Sequence, residues 1–392
     1  MRIVLILFFL LNTLHADINS TISNAFANGS AKGNITLFGY NIDRENEENA
    51  YATALGGYLK YTTDSKLPIF ASARFYHSEP VGGDKNREQT YLFQDDGSSL
   101  TTLAESFVAL KYKRRVLKAG NFMLKTPMMN DDVTRIVPWS YQGAAFTSEA
   151  IADTIIQINY ITQIRSHTSD DYIKQSASGE FDKGITMLGL TYEGIDEINF
   201  QSYYYHAPEL YSTWITQLDY KHVMEDEYLL CLGIQYFNSG EGGEYNDREA
   251  KNGGDDINLL ALKTGLNGPF YDLTLNYSQN FGLSGIVKGY GGLAKVYTTS
   301  MVANGRGNYK PETWMLKSRL ELDQWSSHED EVAIWLTNTR VKDIRGDDFD
   351  AIYAHYRHHF NIDTSLYIRY ESIHYKDKND VSYLRIIAAY NF

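Results

Sequence analysis

The sequence predicts an all-β fold, a single antiparallel transmembrane β-barrel of about 18 strands. Three observations carry this expectation. The chain ends, from Val381 to Phe392, in V-S-Y-L-R-I-I-A-A-Y-N-F, where Leu384, Ile386, Ala388, Tyr390 and Phe392 share an apolar face. Tyr383, Arg385, Ile387, Ala389 and Asn391 take the other face, and a period of two is that of a strand. At the edge of a soluble sheet so greasy a strand invites aggregation, whereas closure in lipid removes the edge. Secondly, no apolar run after the amino terminus reaches the ~20 residues of a membrane helix. Aromatics nevertheless make up 14% of the chain, with 31 Tyr. The mean hydropathy of −0.38 fits a barrel, whose alternating strands average out as polar. The third observation is the rhythm of the connections, short and long in turn. On the terminal segment alone, the last strand of a soluble sandwich is the competing reading.

From the start, M-R-I-V-L-I-L-F-F-L-L-N-T-L-H-A has the parts of an export signal over residues 1–16. Arg2 is its positive end, Ile3–Leu11 its apolar stretch and Ala16 a small residue for cleavage, although Leu14 is larger than the ideal. No Cys stands at the cut, so a lipoprotein is not indicated. Residues 17–392 then form one barrel domain. The single Cys231 cannot close an internal disulfide. Lys and Arg total 36 against 49 Asp and Glu, and losing Arg2 with the signal moves the net charge from −13 to −14. That balance argues against nucleic acid as a partner. The acids gather at Asp43–Glu48, Asp95–Asp96, Asp170–Asp171, Glu241–Glu249 and Asp347–Asp350, which reads as solvated loops. A second reading has them bridge divalent cations to anionic lipid headgroups.

After a lead-in or helical plug at Ile18–Asn28, alternating segments follow along the chain. They are Gly33–Asn41, Ala50–Thr62, Leu67–His77, Thr102–Tyr112, Arg115–Met123 and Thr154–Arg165. Next come Gly184–Glu193, Asp196–His206, Ser212–His222, Glu227–Asn238, Ile257–Leu266 and Phe270–Asn280. Glu312–Leu322, Asp330–Val341, Asp350–Phe360, Ile362–Tyr375 and the terminal strand complete them. Short turns at Thr63–Lys66, Lys113–Arg114, Gly194–Ile195, Asn267–Pro269 and Asn361 belong on one side of a membrane. Ser78–Thr101, Ser166–Lys183, Ser239–Asp256 and Phe281–Pro311 belong on the other. The alternation fails between Met123 and Gly184 unless Gly143–Ser148 is a further strand, turned by Glu149–Asp153. With it the count is about eighteen, and both termini lie on the periplasmic, short-turn side. Trp214, Leu218 and Tyr220 share one face, as do Tyr228, Leu230, Leu232, Ile234 and Tyr236, and Trp314, Leu316 and Leu320. Aromatics near strand ends suit interfacial girdles, or simply the preference of Tyr, Phe and Trp for sheets.

Three segments resemble the porin D (Opr-type) family of Gram-negative outer-membrane porins. They are N-A-F-A-N-G-S-A-K-G-N-I-T-L-F-G-Y-N at Asn24–Asn41, L-K-A-G-N-F-M-L-K-T-P followed by D-D-V-T-R-I-V-P at Asp131–Pro138, and G-G-L-A-K-V-Y-T-T-S-M-V-A-N-G-R-G-N at Gly291–Asn308. With the terminal strand they span nearly the whole mature chain. The resemblance implies a monomeric eighteen-stranded barrel passing small solutes, often carboxylates or amino-acid-like compounds. It also implies a third external loop folded into the lumen, here Leu124–Gln142, with Asp131, Asp132 and Arg135 at the constriction. Gly291–Asn308 corresponds to a late external loop. Opposite charges on an inward loop set up a transverse field for small anions or zwitterions. Alternatively, Arg135 pairs with Asp131 or Asp132 and merely pins the loop.

If the greasy faces meet lipid, Arg74, Lys118, Lys317, Arg319, Arg369 and Arg385 line the lumen. A charge facing lipid at the midplane costs about 2–4 kcal/mol, which favours that placement. These bases form a candidate anion track, of the kind the resembling family is noted for. Glu105, Asp219, Glu321, Asp363 and Glu371 point the same way, so cross-strand ion pairs that stiffen the wall are the alternative. His355, His358 and His359 with Asp350 suggest metal ligands on paper, but His355 and His358 fall on opposite strand faces and no metal site is expected. No G-x-S-x-G, Walker loop or C-x-x-C occurs, and Gly291–Gly292 and Gly305–Gly307 read as external-loop flexibility.

The expectation is a passive outer-membrane porin for small hydrophilic, anionic or amino-acid-like solutes, with no enzymatic activity and no cofactor. Its partners would be those solutes, outer-membrane lipid and lipopolysaccharide, and the barrel-assembly machinery. A general porin, and a sealed barrel serving as adhesin or anchor, are the alternatives.

Overall fold

The computed structural model describes residues 18–208, 210–224, 228–241, 257–282, 289–303, 310–323, 329–342 and 346–392. The expected signal at 1–16, most of Glu241–Glu249 and the Gly305–Gly307 glycines lie outside them. Helix α1 (Ile18–Ala27) comes first. It does not plug the barrel: Phe26 stacks on Tyr61 at 6.2 Å, and Ala25 O accepts from the Asp64 amide of the adjoining turn.

The strands are β1 (Ser30–Arg44), β2 (Ala50–Thr62), β3 (Ile69–Lys85), β4 (Leu100–Tyr112), β5 (Arg115–Phe122), β6 (Ser140–Ser148) and β7 (Thr154–Arg165). A small hairpin, β8 (Gln175–Ser176) and β9 (Gly179–Glu180), interrupts them. Then follow β10 (Ile185–Ile195), β11 (Ile198–His206), β12 (Tyr211–Val223), β13 (Leu229–Glu241), β14 (Ile257–Asn267) and β15 (Tyr271–Asn280). The last are β16 (Pro311–Glu321), β17 (Glu329–Val341), β18 (Phe349–His359), β19 (Thr364–Tyr375) and β20 (Val381–Asn391). Apart from the β8–β9 hairpin they form one 18-stranded antiparallel sheet. Each strand pairs with the next in sequence, β7 pairs with β10, and β20 returns to β1 from Asn34↔Asn391 to Arg44↔Val381. The sheet is therefore closed and leaves no open edge to lipid.

The strand deduced from connection parity is β6, lengthened to begin at Ser140. The connection expected at Ser78–Thr101 is partly strand, because β3 continues along β2 through two register shifts near Thr53.

Alternation sorts the side chains as the sequence implies. On β20, Ile386 and Tyr390 are 44% and 48% exposed, whereas Arg385 is 2% exposed. Leu55 and Leu59 on β2, Trp214 and Leu218 on β12, and Leu336 on β17 continue the exposed apolar belt. The packed core lies inside the barrel. Tyr141, Tyr205, Tyr211 and Tyr290 are wholly buried, with Tyr290 stacked 5.5 Å from Tyr205 and 4.9 Å from Tyr211. A second cluster joins Phe38, Tyr40, Phe93, Leu100, Ile136 and Val137. Chain other than the wall must therefore fill part of the lumen.

Candidate functional site

That filling chain is loop three, between β5 and β6, interlocked with a second inward segment, residues 289–303. Loop three turns tightly because the Thr126 hydroxyl donates to Met129 O (2.7 Å) and Asn130 Nδ2 to Thr126 O (3.2 Å). The Met128 amide donates to Tyr205 Oη across the lumen (3.2 Å). The two segments then exchange backbone bonds: Tyr290 N to Met128 O (2.9 Å), Asn130 N to Gly291 O (3.1 Å) and Lys295 N to Pro127 O (3.1 Å). Asn130 adds a reciprocal pair, Nδ2 to Leu293 O (2.7 Å) and Leu293 N to Oδ1 (3.2 Å). Over residues 289–303 the expected external loop is thus corrected to an internal one. Gly292 supplies the reason, and it is not flexibility. Its φ is +73°, and a Cβ there would lie 2.3 Å from Asn130 O, so only glycine permits this approach.

Glu371 on β19 fixes the far end of the segment. Fully buried, it accepts from the Ser300 hydroxyl and from the amides of Val302 and Ala303, the last at 3.0 Å. The β8–β9 hairpin braces the near end, with Ser178 Oγ donating to Gly289 O (2.9 Å).

Of the expected constriction residues, Asp131, Asp132 and Arg135 do all sit on the inward loop, but not as an ion pair. Arg135 has no carboxylate within ion-pair distance among the described residues, so it does not pin the loop through Asp131 or Asp132. Its Nε donates to Thr90 O (2.9 Å), and its guanidinium lies over Tyr40 (4.9 Å) and Tyr91 (5.9 Å). Burial and the neighbouring Arg385 pull its pKa down to about 10. Asp131 is raised by burial, against the pull of Lys125 and Lys295. Asp132, at a left-handed φ of 40°, pairs with His167 Nε2 at 3.2 Å. Sequence reasoning missed His167, which lies 35 positions away.

Burial opposes ionising Asp132, but hydrogen bonds from His167 and Thr134 and the charges of His167 and Arg135 outweigh it and hold its pKa at about 2. The folded value lies below the ordinary 3.8, so the carboxylate contributes stability at higher pH and loses it as pH falls through about 2. The full contribution is about 2 kcal/mol. Asp132→Asn should flatten the acid-unfolding curve between about pH 4 and 2; an unchanged curve there would refute this assignment.

All six expected wall bases lie on the face opposite the lipid belt, yet they differ. Arg74 is paired with Glu105 (2.5 Å), which Lys60 also reaches (3.4 Å). Arg319 meets three carboxylates, Asp272 (2.5 Å), Glu321 (3.0 Å) and Glu331 (3.1 Å). These two stiffen the wall. Lys118 lies over Phe107 (5.1 Å), and Lys317 over Trp335 (4.8 Å) while donating to Thr299 O. Arg369 donates to Tyr353 Oη (2.9 Å), and Arg385 Nη2 to Tyr40 Oη (3.1 Å) with its guanidinium 4.6 Å from that ring. Among the described residues, buried Nε and Nη1 of Arg385 have no hydrogen-bond partner. Asp363, expected on the wall, belongs instead to the short turn before β19, where its amide donates to Asn361 Oδ1. His355 faces Glu331 (2.7 Å), while His358 bonds Asp330 on the other face.

Two cavities flank the interlocked loops. The upper one, about 580 Å³, is lined by Tyr40, Arg44, Gln89, Tyr91, Asp132, Arg135, Tyr383 and Arg385, among others. The lower one, about 400 Å³, collects Lys125, Lys263, Lys295 and Lys317. The sequence reading had only the last of these. Lys263 was within reach, since alternation with Leu262 and Leu266 turns it inward, but the two loop lysines carry no periodic signal.

A family model described as outer membrane porin, OprD family, matches residues 80–326. No curated protein matches in sequence. Among solved structures, Pseudomonas aeruginosa OpdK with vanillate is similar at 16% identity and a TM-score of 0.78, over 93% of this chain and 98% of that one. Acinetobacter baumannii OccAB4 is 18% identical with a TM-score of 0.78, over 93% and 98%. P. aeruginosa OccK9 (OpdG) is 14% identical with a TM-score of 0.82, over 94% and 99%.

Proposed function

Because the chain belongs to the OprD family of outer membrane porins, we propose that its lumen passes small anionic or amino-acid-like solutes by diffusion past loop three. The observation that carries the anionic part is the pair of guanidiniums on Tyr40. Arg135 and Arg385 flank one ring; among the described residues neither has a carboxylate in ion-pair range, and Arg385 retains two buried donors without hydrogen-bond partners. An unpaired buried donor is costly, and a solute carboxylate arriving there relieves that cost. Asp132, in the same cavity, offers the opposite charge to a solute amine. The rings of Tyr40, Tyr91 and Tyr383 suit a flat solute, and vanillate, the molecule with OpdK, has that shape.

No chemistry is assigned to the lumen groups beyond binding, and no cofactor enters. Residues 1–16 serve as the export signal in this reading. The interlocked loops also favour a second reading, a sealed barrel acting as anchor. Purified protein in a planar bilayer under a KCl gradient separates them. We expect steady current whose reversal potential has the sign for chloride; potassium selectivity would refute the anionic reading, and silence the channel itself.

A further inference from the structure

The lower cavity has a composition of its own. Lys125 and Lys295 come from the two interlocked segments, and Lys263 and Lys317 from β14 and β16, each four residues from the short-turn end of its strand. Against these four ammonium groups stand two carboxylates. Asp219 binds Lys263 (2.5 Å) and is held by Tyr297 Oη (2.9 Å); Asp131 feels Lys125 and Lys295. Two positive charges remain unmatched. Neither Lys125, Lys295 nor Lys317 has a carboxylate in ion-pair range among the described residues, and Lys317 is held only by Thr299 O and the Trp335 face. Polar neutral groups, Gln201, Gln235 and Asn276, complete the lining.

We propose that this chamber is a station for small dianions, a dicarboxylate or inorganic phosphate, on the periplasmic side of the constriction. The inference rests on the channel reading above and adds the valence of the preferred solute. Lysine presents a hydrated point charge with no fork for one planar carboxylate, so the chamber selects charge rather than shape. A monoanion leaves one surplus charge unmatched, whereas a dianion matches both in a single binding event. The cavity holds the volume of roughly a dozen waters, enough for a partly hydrated four-carbon diacid. Partial exclusion of water by the two loops keeps the surplus charge from being screened as it would be at a surface.

The test measures chloride current through the full-length protein in planar bilayers at about pH 8, with succinate, inorganic phosphate or acetate added. Half-blocking concentrations about tenfold lower for succinate or phosphate than for acetate are expected. Block by succinate alone assigns the station to dicarboxylates, and block by phosphate alone to phosphate. In Lys125→Gln/Lys295→Gln, and separately in Lys263→Gln, the ratio to acetate should fall towards one; Lys66→Gln, at a periplasmic turn, should keep it. Each variant is judged on that ratio, so altered absolute conductance does not enter. A ratio of one in the unaltered protein, or a ratio that survives loss of both loop lysines, overturns the proposal while leaving the channel intact. Absence of any current removes both.

Discussion

Arg135→Ala is expected to lower the chloride-over-potassium preference about threefold and to widen the conducting path. The guanidinium is held by Thr90 O and by the Tyr40 and Tyr91 rings, so it fills a fixed part of the upper cavity. Removing it takes away one of two adjacent guanidiniums and the bulk beside them. Lys66→Ala, exposed in the β2–β3 turn, removes the same formal charge far from that cavity and should change neither quantity. Reversal potential and unitary current in a salt gradient give the comparison. Equal, negligible changes in the two variants would take loop three out of the mechanism.

The second large effect is structural. Glu371→Ala should loosen the inward segment by about 3–5 kcal/mol, since it strips the acceptor from two amides and a buried hydroxyl at once. The barrel itself should persist, because β19 keeps its ladders to β18 and β20. Amide exchange at Val302 and Ala303 should accelerate by orders of magnitude, and single-channel records should become noisier and larger. Protected amides in the variant would show that contacts such as Asn130–Leu293 hold the segment without help.

The wall was legible and the filling largely was not, for a physical reason. Strand alternation is a local property, so the inward placement of Arg385 and the outward placement of Ile386 follow from two neighbouring residues. Turn lengths then fix register, and the parity of turns was enough to uncover β6. The Arg319–Asp272 pair was out of reach, because β15 and β16 are joined by a long connection over residues 281–310 and no turn length sets them opposite one another. Loop contacts have no such period. Arg135 finds Tyr40 from across the barrel, Asp132 finds His167, and Gly292 meets Asn130 over 160 residues away. Read locally, Gly292 meant flexibility; in place, it is the point where two chain segments touch too closely for a side chain.

Net charge says nothing of the lumen for a related cause. The chain is acidic overall, at −13, yet the lower cavity gathers lysines from two loops and two strands. Net charge reports the sum over mostly solvated loops, whereas a solute in the lumen meets only the groups that topology turns inward.

Solutes are expected to travel through the upper cavity between loop three and the β1–β20 wall. Gln89 lines that cavity, and its side chain makes no hydrogen bond among the described residues. With Cys231 replaced by Ser and Gln89 by Cys, a sulfonate-bearing thiol reagent should cut chloride current by about half or more, and an ammonium-bearing one should raise it. Current indifferent to both reagents, with labelling confirmed by mass, would place the path elsewhere.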